Sequence, residues 1–150
     1  MRILAIDPAT QLGYAFTTGT KGVIRHGSES FHNAKWEGAG VRFMKFKAWL
    51  ETFEDLDLIA YEAVENHTST YAAHAYGGWV AILQAYCEER NIPYTGFGVL
   101  EIKKFWTGKG NAKKDDMIRV AREKGFNPED DNAADALAIL HLAKASFGQT

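Results

Sequence analysis

The chain has 150 residues, which suits one α/β domain and excludes a two-domain enzyme closed around a nucleotide. Its 46% apolar and 13% aromatic residues can build a core, which excludes disordered, collagenous and coiled-coil classes. A net charge of −2 argues against a polybasic tail, and the single cysteine, Cys87, excludes an internal disulfide and a Cys-rich zinc site.

Residues 3–6 form an apolar run stopped by Pro8 and predict a buried strand. Residues 13–18 and 22–31 predict two more strands, joined by the turn Thr18-Gly19-Thr20-Lys21-Gly22 into an antiparallel meander. Residues 38–53 read as an amphipathic helix, with Val41, Met44, Lys45, Ala48 and Trp49 on a mixed face thickened by Phe43, Phe46 and Leu50. A strand follows over 58–61, ending at Glu62, then a long Ala- and Gly-rich helix over 69–90. After Asn91-Ile92-Pro93 come a strand over 92–97, a helical turn over 100–106 and a glycine loop over 108–111. Helices over 113–124 and 133–146 complete the chain. The alternation of strand and helix requires parallel neighbours covered on both faces, so the expected architecture is a mixed five-stranded sheet with an antiparallel edge. The apolar stretch at residues 1–7 is too short for a signal peptide, and no window approaches a membrane span. The expectation is a cytoplasmic protein.

Carboxylates stand at the ends of three elements. Asp7 ends the first strand, at the carboxyl edge where open α/β sheets place ligands; an Asp before Pro8 also suits a turn. Glu62 ends the second buried strand, with Glu65 three residues on as a possible substitute, although either also suits the start of the following helix. Asp130, Asp131, Asn132 and Asp135 open the last helix. The first two are ordinary capping residues, but Asp135 precedes a nearly unbroken apolar run, and a carboxylate there is costly without a cation or a donor. Asp7, Glu62 and Asp135, with Asp131 or Asn132, make an all-oxygen set suited to Mg²⁺ or Mn²⁺. Two such ions about 3.5–4 Å apart can drive phosphodiester hydrolysis.

The charge is unevenly spread. Lys103, Lys104, Lys109, Lys113, Lys114, Arg119, Arg122 and Lys124 are eight of the 17 cations and lie within residues 103–124, opposed there only by Asp115, Asp116 and Glu123. Cations interleaved with Gly108 and Gly110 suit a phosphate track, as they also suit a solvated helix face. Phe105 and Trp106 read as core residues. His67, His74 and His141 read as ordinary polar or core residues, because hard metals prefer oxygen.

The segment Ile3 to Ala15 around Asp7, the strand Ile59-Ala60-Tyr61-Glu62 and the helix segment Ala134-Asp135-Ala136-Leu137-Ala138 occur in that order. Together they resemble the RuvC-type Holliday-junction resolvases of the RNase H-like nuclease superfamily, particularly short phage-like members, over nearly the whole length. The resemblance implies a single RNase H-like domain over residues 1–150. It also implies a homodimer using the helix at 69–90, and two-metal cleavage of four-way DNA junctions that leaves a 5′-phosphate. Carried over by position, Asp7, Glu62 and Asp135 are the implied metal ligands. Lys114 falls where the family has a lysine near the scissile phosphate, with Lys113 as the neighbouring candidate. The family usually has Asp or His where this chain has Asn132, and bacterial members tend to carry an aromatic where it has Glu65. The expected function is a Mg²⁺-dependent, structure-selective DNA endonuclease without a nucleotide cofactor. The alternatives are a junction-binding module without cleavage, and a related nuclease acting on flaps or RNA.

Overall fold

The computed structural model describes residues 1–148. Five strands and five helices follow in the order β1 (Ile3–Asp7), β2 (Gln11–Thr17), β3 (Ile24–Ser30), α1 (Val41–Leu50), β4 (Leu58–Ala63), α2 (Thr70–Arg90), β5 (Tyr94–Gly98), α3 (Val99–Thr107), α4 (Lys114–Glu123) and α5 (Asp131–Phe147). The sheet order is β3-β2-β1-β4-β5. β1 pairs antiparallel with β2 and β2 with β3, whereas β1–β4 and β4–β5 are parallel. This is the mixed sheet with an antiparallel edge that the order of elements implies.

The central strand β1 is buried along its whole length, as a strand covered on both faces must be. Its side chains alternate between two cores. Ile3 and Ala5, with Leu58 and Ala60 of β4, pack under α3, α4 and α5. Leu4 and Ile6, with Ile59 and Tyr61, pack against Phe46 and Leu50 of α1 and Trp79, Leu83 and Tyr86 of α2. Cys87 belongs to this second core, and burial pushes its thiol up to about 12. Helix α5 is the most apolar cover: nine of its 17 residues are buried, five of them alanines that let the helix lie close on the sheet.

Capping and turn chemistry account for the boundaries that differ from expectation. Gly19 and Gly22 adopt φ of 90° and 80°, so the turn extends to Val23 and β3 starts at Ile24. Helix α1 has Gly40 at its N-cap, which offers no side-chain acceptor, and it is shorter than the pattern over 38–53 suggests. Helix α5 starts two residues early because Asp130 caps it, accepting from the Ala133 N–H at 2.8 Å. The turn at 100–106 is a full helix, α3, ended by Gly108 at φ 86°. Trp106 is core, its Nε1 donating to the Met117 carbonyl at 3.0 Å. Phe105 is not: it is 43% exposed on the outer side of α3, which presents only Ile102 and Trp106 inward. His141 is the expected hydrogen-bonded core histidine, with Nδ1 2.7 Å from the Leu137 carbonyl. His67 lies against the Tyr76 ring and His74 is exposed. Among the described residues no helix is long and apolar enough to cross a membrane.

Candidate active site

The alternation that builds the two cores also aims the carboxylates. Asp7 continues the Ile3–Ala5 side of β1, and Glu62 continues the Leu58–Ala60 side of β4, so both point toward α5. The parallel register pairs Ile6 with Tyr61, which sets the next residues, Asp7 and Glu62, side by side at the carboxyl edge. There the Glu62 carboxylate helps to hold the Asp7 carboxyl above its usual range. Across β2, Asp7 pairs with Gly13. A Cβ on Gly13 would stand 1.9 Å from the Asn132 carbonyl oxygen, so the missing side chain lets the N-terminus of α5 rest directly on the sheet. That approach brings Asp131 and Asp135, four apart on one helix face, to Asp7 and Glu62.

Asp7 is the one buried charged residue among those described, at 9% exposure. Burial, followed by the charges of Glu62, Asp135 and Asp131, holds its carboxyl well above the usual range. Burial and the Glu62 and Asp131 charges push Asp135 up to about 7, opposed by Lys103 and Lys114. Lys114 reaches the edge itself, with Nζ 3.7 Å from Asp131 Oδ2. Beneath the edge, the Tyr76 hydroxyl donates to the Glu62 carbonyl at 2.7 Å and accepts from the Val64 N–H at 2.9 Å, fixing the end of β4.

The remaining candidates are dispersed. Glu65 is exposed and is not among the groups acting on Asp7 or Asp135, so Glu62 is the β4 carboxylate that faces β1. Asn132 meets β2 through its main-chain carbonyl, while it is the Asp131 charge that acts on Asp7 and Asp135. Of the basic segment, Lys103 and Lys114 lie toward the carboxylates, and Lys104, Lys109 and Lys113 are exposed. The Arg119 guanidinium is drawn onto Glu123 at 2.9 Å and Asp116 at 3.6 Å. Among the described residues no three His, Cys, Asp or Glu side chains are already closed to the geometry of one metal ion. The donor chemistry nevertheless fits a hard divalent cation: the set is all oxygen, and its buried member has carboxylates and no cation beside it.

Sequence reasoning missed Gly13, Tyr76 and Ser28. Ser28, on β3, donates to both carboxylate oxygens of Asp130. A glycine inside a strand was the available signal for a close approach at Gly13; nothing local marked the other two.

A β1–β4–β5 parallel core extended by an antiparallel β2–β3 hairpin, with carboxylates at strand ends facing a buried helix, has the RNase H-like fold. Solved structures carry the likeness further. The Thermus thermophilus RuvC structure superposes with a TM-score of 0.76 at 24% identity, over 99% of this chain and 97% of that one. T. thermophilus RuvC in complex with Holliday junction substrate gives 0.74 at 23% identity, over 93% and 90%. The yeast mitochondrial Holliday junction resolvase Ydc2 gives 0.63 at 16%, over 92% and 75%. Among curated proteins, the crossover junction endodeoxyribonuclease RuvC of Anaeromyxobacter sp. (strain K) is 35% identical over 89 residues, 57% of this chain and 48% of that protein. The RuvC of Thermomicrobium roseum is 28% identical over 150 residues, 93% of this chain and 90% of that protein. The alignment to the first relatives thus spans about half their length. No family model matches the chain. By sequence and by structure it has RuvC Holliday junction resolvase homologues.

Proposed function

We propose that this chain is a Mg²⁺-dependent endonuclease that resolves four-way or related branched DNA junctions. The observation that carries the reading is the buried Asp7, ringed by Glu62, Asp131 and Asp135 on a fold shared with junction resolvases. Two bound ions would supply an activated water and stabilise the leaving oxygen. Asp7, at the centre of the set, would bridge the two positions; Glu62 would hold one, and Asp135 with Asp131 or Asn132 the other. Mn²⁺ would serve the same oxygen ligands. Lys114, already within 3.7 Å of Asp131, would swing to the phosphate as negative charge develops there. Lys103, Lys104, Lys109 and Lys113, with Arg119 midway along α4, would carry the DNA backbone. Cleavage would leave a 5′-phosphate.

A homodimer is part of the reading. His74, Gly77, Ala81 and Ala85 form an exposed line along α2, and a Cβ on Gly77 would meet nothing within 4 Å. Gly78, by contrast, serves the chain's own fold: it makes room for Phe43, whose ring a Cβ there would approach to 2.6 Å.

The test is a labelled four-way junction incubated with Mg²⁺. The expected result is paired nicks across the junction that disappear with chelator and with Asp7→Asn. Tight, salt-sensitive junction binding with no product would instead favour a binding module, the reading that Asn132 in place of the family's Asp or His invites. Product that survives Asp7→Asn would overturn the proposal.

A further inference from the structure

Three residues lie in one row across the antiparallel half of the sheet. Asp7 of β1 pairs with Gly13 of β2, and Gly13 pairs with Ser28 of the edge strand β3. The N-terminus of α5 crosses above this row, with the Asn132 carbonyl over Gly13. At the far end of the row Ser28 grips the segment that leads into the helix. Its Oγ donates to Asp130, at 2.7 Å from Oδ1 and 2.6 Å from Oδ2, and its backbone N–H donates to Glu129 Oε1 at 2.6 Å. The same Asp130 side chain caps α5. A Cβ on the neighbouring Gly27 would come within 3.1 Å of Glu129 Oε1, so the grip also uses the space that glycine leaves.

The grip opposes a force. When ionised, Asp131 and Asp135 on α5 repel Asp7 and Glu62 on the sheet, which tends to lift the helix end from the strands. α5 begins at this end with the Asp130 cap, which supplies an acceptor that the first turn's N–H groups otherwise lack. A charge-assisted hydrogen bond from the edge strand holds it at a point two strands from the carboxylates.

We infer that Ser28 is a positioning residue: through Asp130 it sets the start of α5, and thereby keeps Asp131 and Asp135 facing Asp7 and Glu62, from where the four would close on a divalent cation. The inference rests on the carboxylate reading proposed above. Ser28 touches no reacting atom, so its effect is transmitted entirely through the helix.

Ser28→Ala removes the hydroxyl and keeps the backbone bond to Glu129; Ser28→Thr restores a hydroxyl on a β-branched residue suited to a strand. Thermal melts over a Mg²⁺ series report metal binding without catalysis, and single-turnover cleavage of a four-way junction reports the reaction. In Ser28→Ala the Mg²⁺ concentration for half-maximal stabilisation rises about tenfold and cleavage at fixed Mg²⁺ falls about tenfold, the lower range for losing a ligand-orienting contact. Junction affinity in chelator stays unchanged, and Ser28→Thr recovers most of both effects. A variant that melts lower but keeps the wild-type Mg²⁺ midpoint and rate overturns the inference, because the latch is then only structural; failure of threonine to rescue also counts against it. Should the wild-type chain respond to Mg²⁺ with the expected Ser28→Ala shift yet cut nothing, the nuclease reading falls and the positioning role stands. If it cuts and Ser28→Ala moves neither midpoint nor rate, the reverse holds. A wild-type chain indifferent to both Mg²⁺ and Mn²⁺ overturns both.

Discussion

Asp7 concentrates the opposition between stability and chemistry. In the metal-free protein the Asp7 carboxyl is buried among like charges, and Asp135 beside it is pushed up to about 7. A carboxyl raised on folding contributes stability that is full below its unfolded value near 4 and is lost as pH rises through the folded value. The metal-free protein is therefore expected to lose melting temperature as pH rises from about 4 through about 7, where Asp135 titrates. Mg²⁺ is expected to restore it at pH 8, above the Asp135 value, and to do little at pH 5. Asp7→Asn removes the buried charge at no change in size. It is expected to melt higher than wild type in chelator at pH 8, by about 3 °C for each kcal/mol of repulsion removed, and to lose the Mg²⁺ response. Calorimetric melts at the two pH values check this, and an Asp7→Asn protein less stable than wild type at pH 8 would contradict it. Asp7 and Glu62 were legible in the sequence because each closes an otherwise apolar strand, a placement that wastes burial unless the charge is used. Ser28 was illegible for the opposite reason: a serine in a half-exposed edge strand looks solvated, and its partner Asp130 lies 102 residues away.

Among the elements, α5 decides whether the site exists. Its alanines allow close contact with the sheet, and its first turn rests on β2 through the Asn132 carbonyl. Gly13→Ala places a methyl group where the Asn132 carbonyl now sits, and backbone on both sides prevents an easy escape. The expected cost is about 2–3 kcal/mol in urea denaturation, as for an overpacked core, with loss of junction cleavage well beyond what the stability change explains. An alanine variant within about 0.5 kcal/mol of wild type would show that the helix can shift freely. The apolar run from Ala136 to Ala143 made α5 readable as a buried helix, and the order of strands and helices made the sheet readable too. Boundaries were less readable because they depend on single caps and turns: the Asp130 side chain at α5, the bare Gly40 at α1, the two positive-φ glycines before β3. Trp106 and Phe105 are adjacent and aromatic, and only the phase of α3 distinguishes the one that is buried from the one that is not.

For the molecule as a whole, the near-neutral charge conceals two facing territories, carboxylates at the sheet edge and lysines on α3, α4 and the loop between them. Lys114 joins them through Asp131. The α2 line of His74, Gly77, Ala81 and Ala85 lies on the opposite face of the sheet from α5, so two copies joined there would leave both carboxylate edges open to one DNA substrate. Ala81→Arg is expected to convert a dimer to a monomer in sedimentation while leaving the melting temperature nearly unchanged; a wild-type chain that sediments as a monomer would contradict the dimer. The arrangement of α5 also imposes an order in time. It covers β1, β2 and β3, strands built from the first 30 residues, with a helix that begins at Asp131. During synthesis Asp7 and Glu62 emerge early, yet the apolar underside of their sheet stays bare until the last helix leaves the ribosome. Long-range pairings of this kind close late in folding. The chain thus brings Asp131 and Asp135 to Asp7 and Glu62 only when α5 seals its core.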